Sequence, residues 1–176
     1  MTKKQSKCNI DFNSPVMSAL LEDPTRSVLD IAKSLKTYRQ RIWREKKKLE
    51  ESGAIWGYTA IPDEFAFGHI IYMILMKLKP IDAKLAELII QRQLKGEAKK
   101  QNVRVINIFY INGEFDFCVM VSAPDHATAR RYFDSLRQIY SDYLLEKPVV
   151  VDVNMVLVRE GKINPNITRL MDFVPL

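Results

Sequence analysis

Nine basic side chains fall between Pro24 and Leu49 (Arg26, Lys33, Lys36, Arg39, Arg41, Arg44, Lys46, Lys47 and Lys48), against two acids, Asp30 and Glu45. Residues 61–176 carry 15 basic and 14 acidic side chains, so the net charge of +6 is concentrated rather than spread. A positive segment on a neutral body suits a polyanion; the plainer alternative is a solvated, lysine-rich helix face. The residue types favour the polyanion. At helical spacing Arg39, Gln40, Trp43, Arg44 and Lys47 lie opposite Ile42 and Leu49, which must face a core. Arginine can donate two hydrogen bonds to guanine and glutamine can pair with adenine, so this surface can read bases as well as charge. Lys33, Lys36, Thr37 and Lys48 suit phosphate contacts, which fix position without reading sequence. Trp43 either meets the nucleic acid or caps the core edge. Lys46, between the two core positions, should snorkel to solvent along its aliphatic stem.

Catalytic chemistry finds no constellation. The six glycines are scattered singly, without a phosphate-loop or dinucleotide pattern. His69 and His126 are 57 residues apart, and Cys8 and Cys118 fit no metal-ligand spacing and no disulfide framework. Nearby carboxylate pairs sit on solvated helix ends rather than in apolar surroundings that would tune a general acid. No catalytic residue, metal or cofactor is expected. With 47% apolar and 27% charged residues, the 176-residue chain can bury a core. Its longest apolar run, Ile70 to Met76, falls far short of the roughly 20 residues that span a bilayer. Met1-Thr2-Lys3-Lys4 lacks the apolar stretch of a signal peptide. The expectation is a soluble, cytoplasmic, reduced protein.

The elements that must position the basic face are legible on either side of it. Asn13 or Ser14 can cap a helix whose first position is Pro15, with Val16, Leu20 and Leu21 as its apolar stripe. Ser27 with Asp30 resembles a capping box for a second helix, with Val28, Ile31, Ala32 and Leu35 inward. A third helix runs from about Tyr38 to Ser52 and stops at Gly53. Three short helices with a tight second turn form a helix-turn-helix unit, whose third helix enters the major groove.

Ala54 to Ile61 is strand-like and ends at Pro62, so it reads as a linking strand, with Asp63 to Gly68 a short hinge. A β-α-β-β-α-β order follows. His69–Leu78 is a strand and Ala83–Lys95 a helix with Leu85, Leu88 and Ile89 inward. Val103–Ile111 and Glu114–Ser122 form a hairpin across Asn112-Gly113, a strong hairpin signal. Asp125–Leu145 is a helix with Ala129, Phe133, Leu136, Tyr140 and Tyr143 on one side, and Val149–Val158 is the last strand. Both helices should cover one sheet face, leaving the other to alternate to polar. It does not. Ile71, Met73 and Leu75 oppose Ile70, Tyr72, Ile74 and Met76, while Cys118 and Met120 oppose Phe115, Phe117, Val119 and Val121. Such a second apolar face is a liability in a monomer, and a second copy of the chain is the expected cover.

Two segments carry a family resemblance. Leu49-Glu50-Glu51-Ser52-Gly53-Ala54-Ile55-Trp56-Gly57-Tyr58-Thr59-Ala60 resembles the helix end and linking strand of the Lrp/AsnC (feast/famine) transcriptional regulators. Asn112-Gly113-Glu114-Phe115-Asp116 resembles that family's glycine-x-tyrosine-aspartate hairpin, with Phe for Tyr. The match covers roughly Ile10 to Val158. It implies an α+β chain: an N-terminal helix-turn-helix (winged-helix-like) domain over residues 1–53 and a linking strand and hinge over 54–68. A ferredoxin-like effector and dimerisation domain would then span 69–159, with a C-terminal extension over 160–176. It also implies an archaeal or bacterial type of regulator that binds double-stranded promoter DNA. Homodimers, often built into tetramers or octamers, and a small-molecule effector, commonly an amino acid, belong to the same expectation. Carried onto this chain, the effector-binding hairpin nominates Gly113 and Asp116, with Phe115 nearby. Turn geometry for Gly113 and a backbone cap for Asp116 are the alternatives. Lys36 and Tyr38 stand where the family usually carries glycine and a Ser or Thr cap, which makes Thr37 the candidate cap; Lys46 replaces an apolar family position. Two other readings share this surface or fold: a non-specific architectural DNA-binding protein, and a sirohaem-decarboxylase-like enzyme. The enzyme would need a pocket lined by histidine and arginine, which two histidines and a retained basic helix argue against. The 160–176 tail, with Leu170, Met171, Phe173, Val174 and Leu176, either covers a sheet edge, contacts a neighbouring subunit or stays disordered.

Overall fold

The computed structural model describes residues 11–175, so Cys8, Met1 to Lys4 and Leu176 lie outside the described residues. The chain divides into two compact units, the first through Ala60 and the second from Ile61.

The first unit is three helices. In α1 (Pro15–Glu22) the Ser14 hydroxyl accepts from the Met17 amide at 3.2 Å, and proline occupies the first turn, where its missing N–H costs nothing. In α2 (Val28–Ser34) Ser27 caps the Asp30 amide at 3.1 Å, and its own hydroxyl donates to the Asp30 carboxylate at 2.5 Å. The Asp side chain is one carbon shorter than Glu, so it closes the box on the hydroxyl. The third helix, α3 (Arg39–Glu51), ends at Ser52, and Gly53 follows at φ +73, a left-handed stop that favours glycine. The core is Val16, Ala19, Leu20, Ile31, Ala32, Ile42 and Leu49, with Met17, Val28, Leu35 and Ile55 packed against it. Leu21 departs from the expected stripe. It is 52% exposed, and Ala19 takes its place inward. The linking strand expected over Ala54–Ile61 is absent: no strand forms there among the described residues, and Trp56 is 98% exposed. A strand needs a partner edge, and these residues find none among the described residues.

The second unit is a four-stranded antiparallel sheet in the order β2-β3-β1-β4. Its elements are β1 (Ile70–Met76), α4 (Ala83–Lys95), α5 (Glu97–Lys100), β2 (Arg104–Tyr110), β3 (Phe117–Ala123), α6 (His126–Ile139) and β4 (Val149–Val153). Asp82 caps α4 and Asp125 caps α6, each accepting the amide three residues on, from Leu85 at 2.7 Å and from Thr128 at 2.6 Å. The register pairs Tyr72 with Val121, Ile74 with Val119 and Met76 with Phe117, and this face packs on Leu85, Ala129, Tyr132, Phe133, Leu136 and Tyr140. Opposite it, Ile71 pairs with Ser122, Met73 with Met120 and Leu75 with Cys118, while Val149, Val151 and Val153 continue that face on β4.

Several boundaries move. The hairpin is wider than a two-residue Asn-Gly turn. Ile111 N–H donates to Asp116 O at 2.9 Å, so residues 112–115 bridge the strands and β3 starts at Phe117. Gly113 is not among the positive-φ residues, so turn geometry does not demand glycine there. The last helix ends at Ile139, six residues short of Leu145; beyond it Leu144 bridges to Leu78 instead. The last strand also breaks. After Val153 the chain leaves the sheet and forms a separate hairpin, β5 (Val158–Arg159) with β6 (Lys162–Ile163), turning on Glu160 and Gly161 at φ 48 and 75. The extension then forms a 3-10 helix, Ile167–Phe173.

One polar feature is buried in the second unit. Glu64, 4% exposed in the 3-10 turn Glu64–Phe67, takes Arg159 Nη1 on both carboxylate oxygens at 2.7 Å and pairs with Arg104. Burial pushes its carboxyl up, but the hydrogen bonds from Arg159, its own backbone and Arg104 outweigh that and hold it below the usual range.

Candidate nucleic-acid interface

With Ile42 and Leu49 buried, the helical turn of about 100° per residue fixes the remaining faces of α3. Gln40, Arg44 and Lys47 point away from the core. Arg39 and Trp43 lie on one flank, Arg41 and Lys48 on the other. Trp43 is 53% exposed and does not close the core edge; its ring lies 5.0 Å from the Lys47 ammonium, which also sits 3.6 Å from Glu51. Of the sequence-derived set, Arg39, Gln40, Trp43, Arg44, Lys47 and Lys48 lie on this helix, spread from one flank to the other, while Lys33 lies in α2 and Lys36 and Thr37 in the turn between. A concavity of about 620 Å³ runs along the second flank, lined by Asp11, Ser14, Tyr38, Gln40, Arg41, Arg44, Glu45, Lys48 and Leu49. Only Gln40, Arg44 and Lys48 of these belong to the sequence-derived set; Arg41 and Tyr38 are among those outside it. Arg41 shares the Lys48 face at a spacing of seven, a signal present in the sequence. Tyr38, 84% exposed, shows no comparable signal.

The charges on this helix are mostly uncompensated. Lys46 lies 4.0 Å from Glu50 and Lys47 pairs with Glu51, but Arg39, Arg41, Arg44 and Lys48 have no carboxylate within 4 Å among the described residues. Lys46 does snorkel: its ammonium comes to 4.9 Å from the centroid of the Tyr58 ring. Tyr58 in turn donates from its hydroxyl to Glu50 at 3.0 Å. Burial, then that bond and the Glu50 charge, push the Tyr58 phenol up to about 12. This contact ties the segment after α3 back to the helix.

At the other end of α3, Tyr38 is the N-cap and makes no side-chain capping bond, so Thr37 does not supply the cap. Thr37 instead gives its amide to Ala32 O at 2.9 Å, and Lys36 gives its amide to Lys33 O at 3.2 Å. Lys36 carries the turn at φ 49, the left-handed position where the resemblance leads one to expect glycine. Lys33 and Lys36 are both exposed beside the start of α3. Arg26, by contrast, is held by Ser34 Oγ at 2.8 Å and Asp30 O at 3.4 Å, and serves α2.

In the second unit, Gly113, Phe115 and Asp116 share the β2–β3 loop. Asp116 accepts the Leu78 amide at 2.9 Å, a backbone cap at the sheet end, and Lys77 Nζ donates to Glu114 O at 2.6 Å. His69 bonds Ser122 Oγ through Nδ1 at 2.9 Å, and His126 bonds the Tyr72 hydroxyl, so the two histidines serve different parts of the sheet. Burial raises the Cys118 thiol above its ordinary range. Among the described residues no group of His, Cys, Asp and Glu is placed to hold a metal, and no helix is long and apolar enough to cross a membrane.

A helix-turn-helix unit followed by a βαββαβ sheet unit is the architecture of the Lrp/AsnC transcriptional regulators, and the structural neighbours of this chain are members of that family. One is the leucine response regulatory protein LrpA of Mycobacterium tuberculosis, with TM-score 0.67 at 14% identity over 87% of this chain and 97% of that one. An AsnC family regulator of Agrobacterium tumefaciens superposes with TM-score 0.61 at 16% identity over 86% and 94%. A regulator of Neisseria meningitidis in complex with L-Met gives 0.61 at 14% over 82% and 89%. At these identities the likeness establishes the fold. By sequence, the chain is 26% identical over 143 residues to an uncharacterised helix-turn-helix-type transcriptional regulator of Pyrococcus abyssi, covering 81% of this chain and 92% of the relative. No family model matches the chain.

Proposed function

We propose that the chain is a sequence-specific, DNA-binding transcriptional regulator of the Lrp/AsnC type. The observation that carries this is α3: its inner face is pinned by Ile42 and Leu49, while Arg39, Arg41, Arg44 and Lys48 stand without carboxylate partners. Unpaired cations on a rigid helix suit a groove lined by phosphates. Gln40 and Arg44, pointing outward, are the base readers. Lys33, Lys36, Thr37 and Lys48 hold phosphates, with Arg39, Trp43 and Lys47 alongside.

A reader of two-fold sites needs a second copy, and the sheet supplies a surface for one. Met73, Leu75 and Met120 are only half-buried, and Phe109, Val149 and Val151 are exposed on the same apolar face. The homodimer covers it, and two α3 helices then address half-sites about 34–36 Å apart or a multiple of that. An amino acid or similar effector belongs near the Gly113, Phe115 and Asp116 loop, in line with the L-Met complex of the Neisseria relative.

The deciding experiment is a gel-shift titration on the protein's own upstream region against a scrambled duplex at about 150 mM salt. A preference of roughly 10³-fold or more establishes the regulator, and binding without preference makes it an architectural protein. With about 6 phosphates neutralised, log K should fall with log salt at a slope near −5. Arg44→Ala should relax sequence preference while Lys36→Ala weakens all DNA alike; identical behaviour of the two would sink the assignment. A stable monomer in sedimentation at micromolar concentration would remove the dimer.

A further inference from the structure

At the sheet end away from Gly113 lies a cavity of about 450 Å³, bounded by the end of α4, by α5 and by the start of β2. Its polar lining includes His69, Arg92, Lys99, Asn102, Arg104 and Tyr132, and one acid, Glu97. Residues 92–104 hold five basic side chains and a single acid, Glu97, although residues 61–176 as a whole are nearly balanced. The Glu97 carboxylate is directed to Lys100 at 2.9 Å, and Arg104 is paired with Glu64. Arg92 and Lys99 have no carboxylate within 4 Å among the described residues. Lys99 is exposed, whereas Arg92 is half-buried, with its guanidinium 6.0 Å from the centroid of the buried Tyr140 ring. Burial pushes the Tyr132 and Tyr140 phenols up and the Arg92 charge pulls against it, which places the guanidinium beside both hydroxyls.

A half-buried cation held on aromatic walls is pre-organised; the acid that acts on Arg92, Glu97, is itself ion-paired to Lys100, and the neighbouring tyrosine hydroxyls are neutral, so an anion is the ligand that best answers its charge. The volume is that of a small-molecule site. The His69 ring is fixed through Nδ1 by Ser122, and Asn102 adds an amide to the rim. We propose that this cavity binds a small multivalent oxyanion, a phosphate or a carboxylate, between Arg92 and Lys99. The site lies apart from α3 and stands or falls independently of the DNA-binding reading.

The test is amide chemical-shift titration of the full chain, without DNA, using inorganic phosphate, adenosine monophosphate and succinate in separate arms. Saturable shifts confined to residues 92–104 and 132 are expected in at least one arm, and the responding arm identifies the source of the oxyanion. Lys99→Gln, whose side chain makes no contact the fold needs, should weaken that binding about tenfold or more, and Arg92→Gln likewise. Arg44→Ala should leave it unchanged. No saturable binding up to about 10 mM in any arm overturns the site. So does binding that survives both substitutions. A loss of DNA affinity in Lys99→Gln without any small-anion binding assigns these cations to DNA instead, and equally overturns it.

Discussion

On the proposed reading, in which Lys36 holds a phosphate, one residue couples stability to DNA binding, and two substitutions separate the effects. Lys36 sits just past α2 at φ 49, with its amide on Lys33 O and the next amide, of Thr37, on Ala32 O. Holding an L-residue left-handed costs about 1–2 kcal/mol, and replacing it with glycine gives back about 0.5–1 kcal/mol in the freedom of the unfolded chain. Lys36→Gly should therefore stabilise the first unit by about 0.5–1 kcal/mol. That is a rise of about 2–8 °C in its thermal transition. Lys36→Ala keeps the strained φ and should stay within about 0.5 kcal/mol of the parent. Both substitutions delete the same charge, so both should weaken DNA equally and reduce the salt slope by about 0.9. Calorimetry and salt-dependent gel shifts on the pair measure the two effects separately. A destabilised Lys36→Gly would refute the left-handed turn. Unequal DNA affinities would show that the lysine acts through the turn's shape and not through its charge.

Glu64→Gln leaves Arg159, with Arg104, facing a neutral group inside the second unit, and should cost about 3 kcal/mol in urea unfolding. Because the folded carboxyl is depressed, its stabilisation is present above the unfolded value of about 4.3 and is lost as pH falls through the folded value, so parent and variant should converge in acid. Ultraviolet titration should show a late tyrosine phase, to which burial also drives Tyr72, Tyr132 and Tyr140; Tyr58→Phe should remove the part centred at about 12 and Glu50→Ala should lower that midpoint. Gly113→Ala should be tolerated within about 0.5 kcal/mol, since its φ is ordinary and an added Cβ meets nothing within 4 Å. Gly53→Ala, at φ +73, should cost about 1 kcal/mol or more in thermal unfolding.

What could be read locally could be read well. Ser14 and Ser27 place the first two helix starts, because a cap bonds amides two or three residues away, and α4 spans Ala83–Lys95 as its periodicity predicts. Strand alternation likewise gives the two sheet faces. The misreadings share a cause. Asn112-Gly113 predicts a tight turn only if the strands run up to it, but Asp116 accepts the Leu78 amide on its carboxylate and donates its own amide to Met76 O, and the pairing stops at Phe117. Ala54–Ile61 has strand composition but no partner edge among the described residues. Nothing local announces Glu64, whose partners lie 40 and 95 residues away. The Gln40, Arg44 and Lys47 face was legible from spacing alone. The left-handed Lys36 and the uncapped start of α3 required backbone geometry.

Charge counting and charge pairing give different answers in the two units, and pairing is the more informative. Arg104 and Arg159 count toward a basic protein, yet both are engaged by Glu64 and serve the fold. Arg26 is engaged in the same way by Ser34 and the Asp30 carbonyl. Among the cations that remain without a carboxylate within 4 Å, two groups line concavities: Arg41, Arg44 and Lys48 on α3, with Arg39 on its other flank, and Arg92 with Lys99 at the cavity beside β2. The first group is strung along the length of α3, with Arg41, Arg44 and Lys48 lining an open concavity of about 620 Å³, which suits a long polyanion that approaches from outside. The second lines a concavity of about 450 Å³, which admits only a small one. Shape thus divides the positive charge that the sequence presents as one excess of +6 into two recognition problems of different scale.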